Sequence, residues 1–132
     1  QTIINKIIPK IFGTTLIMGR NNKDKNDYNI TETENLKFLT IHKSKGLEFD
    51  NTIIINLENK TNGFPSRIPN HKLLNKIIKT DSYPDEEERR LFYVALTRSK
   101  NYTYLLVPKN NPSIFITEIK KYGKEYIEEI NL

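Results

Sequence analysis

The chain has 132 residues, enough for one domain that buries a core without staples. Thirty-six per cent hydrophobic residues, with seven Tyr and six Phe, exclude a disordered chain, and the absence of cysteine excludes disulfides and thiolate metal sites. A formal charge of +5, from 21 Lys and Arg against 16 Asp and Glu, suits a polyanionic partner without requiring one.

Taken in chain order, "TIINKII" (2–8) reads as the tail of a helix. "TTLIMGR" (14–20) is a short apolar run that ends in the polar loop "NNKDKNDYN", the pattern of a buried strand. "LKFLTIH" (36–42) and "NTIIINL" (51–57) are two further strands, the second a continuous run rich in β-branched residues that suits a strand covered on both faces. "HKLLNKIIK" (71–79) is a short amphipathic helix candidate. "SYPDEEERRLFYVALTRSK" (82–100) predicts a longer helix, with Pro84 near its first position, acidic residues in its first turn and basic residues in its last. "YTYLLVP" (102–108) is a fourth buried strand. "NPSIFITEIKKYGKEYIEEI" (111–130) is a closing helix that starts near Pro112 and spaces Phe115, Ile119 and Tyr122 helically.

Such alternation predicts an α/β sandwich around a mostly parallel sheet. The strands at 36–42 and 51–57 are expected to lie side by side, joined by a crossover of about nine residues. No apolar run reaches the ~20 residues of a membrane span, and the first ten residues lack the features of a secretory signal. The expected location is cytoplasmic, with no membrane partner. His42 and His71 are too few and too distant to suggest a metal site, so none is assigned.

Two stretches carry possible chemistry. In "FLTIHKSKGLEFD" (38–50), Thr40 and His42 end an apolar run and a Lys-Ser-Lys-Gly turn follows. In an open parallel sheet ligands bind beyond the carboxyl ends of the strands, where this segment is expected to sit. Gly46 permits a positive φ or a close backbone approach, and exposed N–H groups there could hold a phosphate. A solvated turn with a glycine stop explains the same residues. The second stretch holds three of the five arginines, between positions 89 and 98, while the sixteen lysines are spread along the chain. On a helical wheel Phe92, Val94, Ala95 and Leu96 form an apolar face with Leu91, and Arg98 returns to within about 20° of Leu91. An arginine on the core-facing side needs an anion, either a ligand or an internal carboxylate such as Glu48 or Asp50.

"LTIHKSKGLEFD" resembles motif V of the UvrD/Rep-like superfamily 1 helicases, and "DEEERRLFYVALTRSK" resembles their motif VI. "LIMGRNN" is similar to the strand-plus-Arg segment ahead of them, and "GFPSR" to a loop that follows. The run "NGFPSR…SYPDEEERRLFYVALTRSKN…NPSIFITEIKK" is most similar to the helicase IV branch, and the resemblance covers roughly residues 14–122. It implies a RecA-like three-layer sandwich, the second motor domain or 2A, as a single unit over residues 1–132 of a larger motor. In that family ATP binds between two RecA-like domains. Arg98 then matches the arginine finger, and Glu48, with Gly46 and Lys45 beside it, lies on the nucleotide side. Thr40 and His42 match positions facing single-stranded DNA, Ser66 matches a loop position on the DNA track, and Arg20 and Asn21 join that track. The resemblance implies ATP and Mg²⁺ as cofactors of the intact protein, with Mg²⁺ held by the N-terminal motor domain, itself an expected partner beside single-stranded DNA.

The chain lacks a "GxxxxGK[ST]" phosphate loop and an Asp-Glu pair after an apolar strand, so it is not expected to hydrolyse ATP alone. Three functions follow as alternatives: part of a DNA helicase, part of a helicase-like ATPase that remodels RNA polymerase or another nucleoprotein complex, and a standalone basic binding module.

Overall fold

The computed structural model describes residues 3–67 and 85–130. Four strands, β1 (Thr15–Gly19), β2 (Leu36–Thr40), β3 (Phe49–Ile54) and β4 (Ser99–Leu105), form one sheet in the order β2-β1-β3-β4. Every pairing is parallel. Among the described residues the helices of more than one turn are α1 (Ile3–Ile7), α3 (Glu86–Leu96) and α4 (Ile114–Gly123); α2 (Asp24–Asp27) is a single turn in the loop after β1.

Alternation along the inner strands builds two cores. Leu16, Met18 and Ile54 face one side, where Leu91, Phe92 and Ala95 of α3 and Phe115 and Ile116 of α4 cover them. Ile17, Ile53, Leu36 and Phe38 face the other, beneath Ile4 of α1 and Ile30. The expected three-layer α/β sandwich is therefore the observed one, and β3 is buried from Asn51 to Ile54 because both of its faces are covered. Phe64, fully buried, sits edge-on to Phe92 and Phe115 at centroid distances of 5.8 and 5.4 Å and locks the 57–67 loop onto the first core.

Several expectations are corrected. The strands at 36–42 and 51–57 are not neighbours, because β1 lies between them and pairs with both. β1 is apolar on both faces, with all five residues buried, and burial of such a strand is complete only in the sheet interior. β2, with an exposed Lys37, takes the edge. The helix predicted over 82–100 stops at Leu96, and no basic residue lies in its last turn. β4 starts at Ser99, three residues earlier than expected, and it is an edge strand with only partial burial. Its first residues are polar and carry no strand signal. Backbone pairing of Ser99 with Phe49, followed by one extra residue on β4 before Tyr102 meets Asn51, recruits them. The closing helix is α4 plus a 3-10 turn at Lys124–Tyr126, and Tyr122 is exposed. The helix read at 71–79, and Pro84, lie outside the described residues.

Candidate functional site

The candidate residues lie on two rims of the sheet. At its carboxyl rim, Gly19 pairs with Thr40, so Arg20 and Asn21 emerge beside the end of β2. Thr40 itself is buried, and the chain then enters a 3-10 turn, Ile41–Ser44. Ile41 and Ser44 point inward, with the Ser44 hydroxyl donating to the Ile41 carbonyl at 2.6 Å, which leaves His42 and Lys43 exposed. The pKa of His42 falls below the usual 6.5 although the residue is exposed. Partial desolvation is the main cause, the charges of Arg20 and Lys45 add to it, and Glu88 and Glu87 oppose it. His42 is thus neutral at neutral pH.

Arg20 donates from Nε to both carboxylate oxygens of Glu88, at 2.9 and 3.0 Å. The Ser66 N–H donates to the same carboxylate, so Ser66 joins Arg20 and His42 on this rim. Asn21 is held at both ends: its N–H donates to Asp24 Oδ2 at 3.1 Å and its side-chain amide to Asn62 Oδ1 at 2.8 Å. Burial pushes the Asp24 carboxyl above its ordinary range, partly offset by hydrogen bonds from Asn21 and Asn56. Sequence reasoning missed Asp24, Asn56, Asn62 and Glu88. Glu88 belongs to the acidic run at 85–88, which reads as helix-dipole charge, and nothing in the sequence separates it from its neighbours.

Only the first half of the "TIHKSKG" segment (40–46) lies at the carboxyl rim, contrary to expectation. Because β3 runs parallel to β2, the chain must return the length of a strand, about 16 Å for five residues, before Phe49. Residues 45–48 make that return and bring Gly46, Leu47 and Glu48 toward the amino rim. Gly46 adopts φ +81°, the left-handed region that favours glycine, with open space where a Cβ would stand. Lys45 and Glu48 are exposed, and Glu48 lies 3.9 Å from Lys100 Nζ.

Arg98 is at this amino rim, just before β4. Its carbonyl accepts from Phe49 N–H at 3.0 Å, and its guanidinium donates to the Val94 carbonyl at 3.2 Å, to Thr97 Oγ1 at 3.1 Å and, weakly, to the Leu47 carbonyl at 3.5 Å. The helical-wheel expectation of a core-facing Arg98 is corrected, since the helix has already ended. Neither carboxylate considered for it is a partner: Asp50 accepts from the Thr14 N–H and hydroxyl, which hold it below the usual carboxylate range, and Glu48 turns to Lys100. Among the described residues no carboxylate pairs with Arg98, and no group of three or more His, Cys, Asp or Glu could hold a metal ion. No helix among them is long and apolar enough to cross a membrane.

A fully parallel sheet between helical layers, with Arg20, Asn21 and His42 at its carboxyl rim and an arginine beside a glycine turn at the amino rim, defines a RecA-like class of α/β domain. The chain belongs to the family of the UvrD-like helicase C-terminal domain, which matches residues 12–110. It is 40% identical over 86 residues to DNA helicase IV of Escherichia coli (strain K12), across 64% of this chain and 13% of that protein. The ATP-dependent DNA helicase PcrA of Staphylococcus epidermidis (strain ATCC 35984) is 32% identical over 104 residues, and that of Staphylococcus aureus (strain Mu50) 33% over the same length, each across 70% of this chain and 13% of the relative. The chain thus spans about an eighth of the length of these relatives.

Proposed function

We propose that residues 1–132 act as the second motor domain of an ATP-dependent DNA helicase, closing an ATP site with Arg98 and touching single-stranded DNA from the opposite rim. The observation that carries this reading is the 41–48 segment, which leaves the carboxyl rim at His42 and reaches the amino rim beside Arg98 within eight residues. Phosphoryl transfer needs positive charge at the γ-phosphate as the bond breaks, and an arginine supplied by a second domain couples hydrolysis to closure of the cleft. Arg98 suits that role because its donors rest on carbonyls and a hydroxyl, partners that an anion displaces readily. Lys45, Gly46 and Glu48 line the same nucleotide side. Thr40, His42, Ser66, Arg20 and Asn21 form the DNA side, with His42 and Arg20 most able to reach a phosphate and the buried Thr40 shaping the end of β2. ATP and Mg²⁺ are cofactors of the intact protein, with Mg²⁺ held by an N-terminal motor domain; the chain alone does not hydrolyse ATP.

The test uses the full-length protein that carries this chain. Arg98→Ala should keep ATP affinity within several-fold of wild type while lowering single-turnover hydrolysis by on the order of 10³ to 10⁵. Arg98→Lys should recover little, because a point charge cannot reproduce the planar fork. Hydrolysis near the wild-type rate by Arg98→Ala would overturn the assignment.

A further inference from the structure

Glu88 is the group in which the carboxyl rim converges. It lies in the first turn of α3, yet only 9% of it is exposed, unlike its neighbour Glu87, which is exposed. A carboxylate so placed is costly unless compensated, and here Arg20 Nε reaches both of its oxygens while the Ser66 N–H reaches one of them. Three separate segments therefore meet on one side chain: the residue after β1, the 64–67 loop and the start of α3. The geometry of Arg20 is the informative part. It uses only its Nε edge on Glu88, and among the described residues neither of its terminal nitrogens donates to anything. A guanidinium held by Nε alone presents its outer fork, and that fork matches two oxygens of a phosphate.

Resting on the DNA reading above, we infer that Glu88 is a positioning residue that aims the terminal nitrogens of Arg20 at a backbone phosphate of single-stranded DNA and holds the Ser66 loop beside it. Glu88 carries the same sign of charge as the DNA. A bystander carboxylate at this rim repels the strand, so its neutralisation strengthens binding; a carboxylate that orients the contacting arginine has the opposite effect. The sign of the change separates the two.

The measurement is equilibrium binding of a fluorescent thymidine oligonucleotide to the full-length protein across a salt series, for wild type, Glu88→Gln, Arg20→Ala, the double variant and His42→Ala. Glu88→Gln should bind about tenfold more weakly despite the lost negative charge. Arg20→Ala should weaken binding similarly and flatten the slope of log affinity against log salt by about 0.7, the value for one phosphate contact on a single strand. The double variant should lie within about twofold of Arg20→Ala, because the glutamate acts largely through the arginine. Equal or tighter binding by Glu88→Gln, or a double variant whose loss is the product of the two single losses, overturns the inference. Should Glu88→Gln fail to fold, Arg20→Lys decides: it keeps the charge but cannot bind Glu88 through one edge and DNA through another, so a loss of about fivefold supports the inference and wild-type affinity refutes it. Weakened binding in His42→Ala alongside an unaffected Glu88→Gln removes this inference and leaves the DNA reading standing, whereas a wild-type protein that does not bind the oligonucleotide removes both.

Discussion

Gly46 and Gly63 are needed for different physical reasons, and substitution separates them. A Cβ at Gly46 meets nothing within 4 Å, so Gly46→Ala carries only the strain of φ +81°, about 1–2 kcal/mol. At Gly63 a Cβ would stand 2.1 Å from the Glu58 carbonyl oxygen, which the backbone must move to relieve. Urea unfolding should therefore show a clearly larger loss for Gly63→Ala than for Gly46→Ala. His42 gives a pH prediction. Its folded pKa lies below the unfolded 6.5, so its contribution to stability is complete above pH 6.5 and fades as pH falls through the folded value. Binding to DNA has the opposite sign. A phosphate favours the imidazolium, so oligonucleotide affinity should rise from pH 7.5 to 5.5 in wild type and less so in His42→Asn. Gly46 and Arg98 were legible in the sequence, one as a glycine ending a basic turn, the other as part of an arginine cluster. Glu88, Asp24 and Asn56 were not, because their importance lies in contacts spanning 68 residues for Arg20–Glu88 and 32 for Asp24–Asn56.

At the scale of elements, periodicity located every strand and helix in the described region longer than one turn, and lost their ends. β1 and β3 were legible from the apolar runs Leu16–Met18 and Ile53–Ile55, which are buried on both faces of the sheet. The start of β4 was not, since "SKN" is polar and joins the sheet only by pairing with β3. The end of α3 was misplaced for the same reason: the sequence carries no Gly or Pro between Leu96 and Ser99 to mark it. Packing predicts which elements hold the fold. Phe115, 1% exposed, stacks on Phe92 at 5.0 Å and meets Phe64 edge-on, so Phe115→Ala should cost about 3–5 kcal/mol in denaturant unfolding, and Phe115→Leu distinctly less. Ser113 caps α4 by accepting from the Phe115 N–H at 3.2 Å, and Ser113→Ala should cost about 1 kcal/mol.

For the whole molecule, strand order was the part the sequence withheld. A crossover of eight residues from β2 to β3 suggests adjacent strands, yet it passes over β1, and only the burial demanded by β1 on both faces explains the choice. That placement has a functional consequence. Two connections run from rim to rim: the 41–48 segment, and α3, an 11-residue helix about 16 Å long that begins near Arg20 and ends just before Arg98. The proposed DNA side and nucleotide side are thus the two ends of the same short rods. The most direct test is steady-state ATP turnover of the full-length protein against the concentration of single-stranded DNA, for wild type, His42→Ala and Arg98→Ala. His42→Ala should raise the DNA concentration for half-maximal turnover about tenfold while most of the maximal rate survives, and Arg98→Ala should collapse the rate at every DNA concentration. Near wild-type turnover by Arg98→Ala in saturating DNA, or a collapse of maximal rate in both variants with no shift in half-saturation, would contradict the proposed DNA and nucleotide sides.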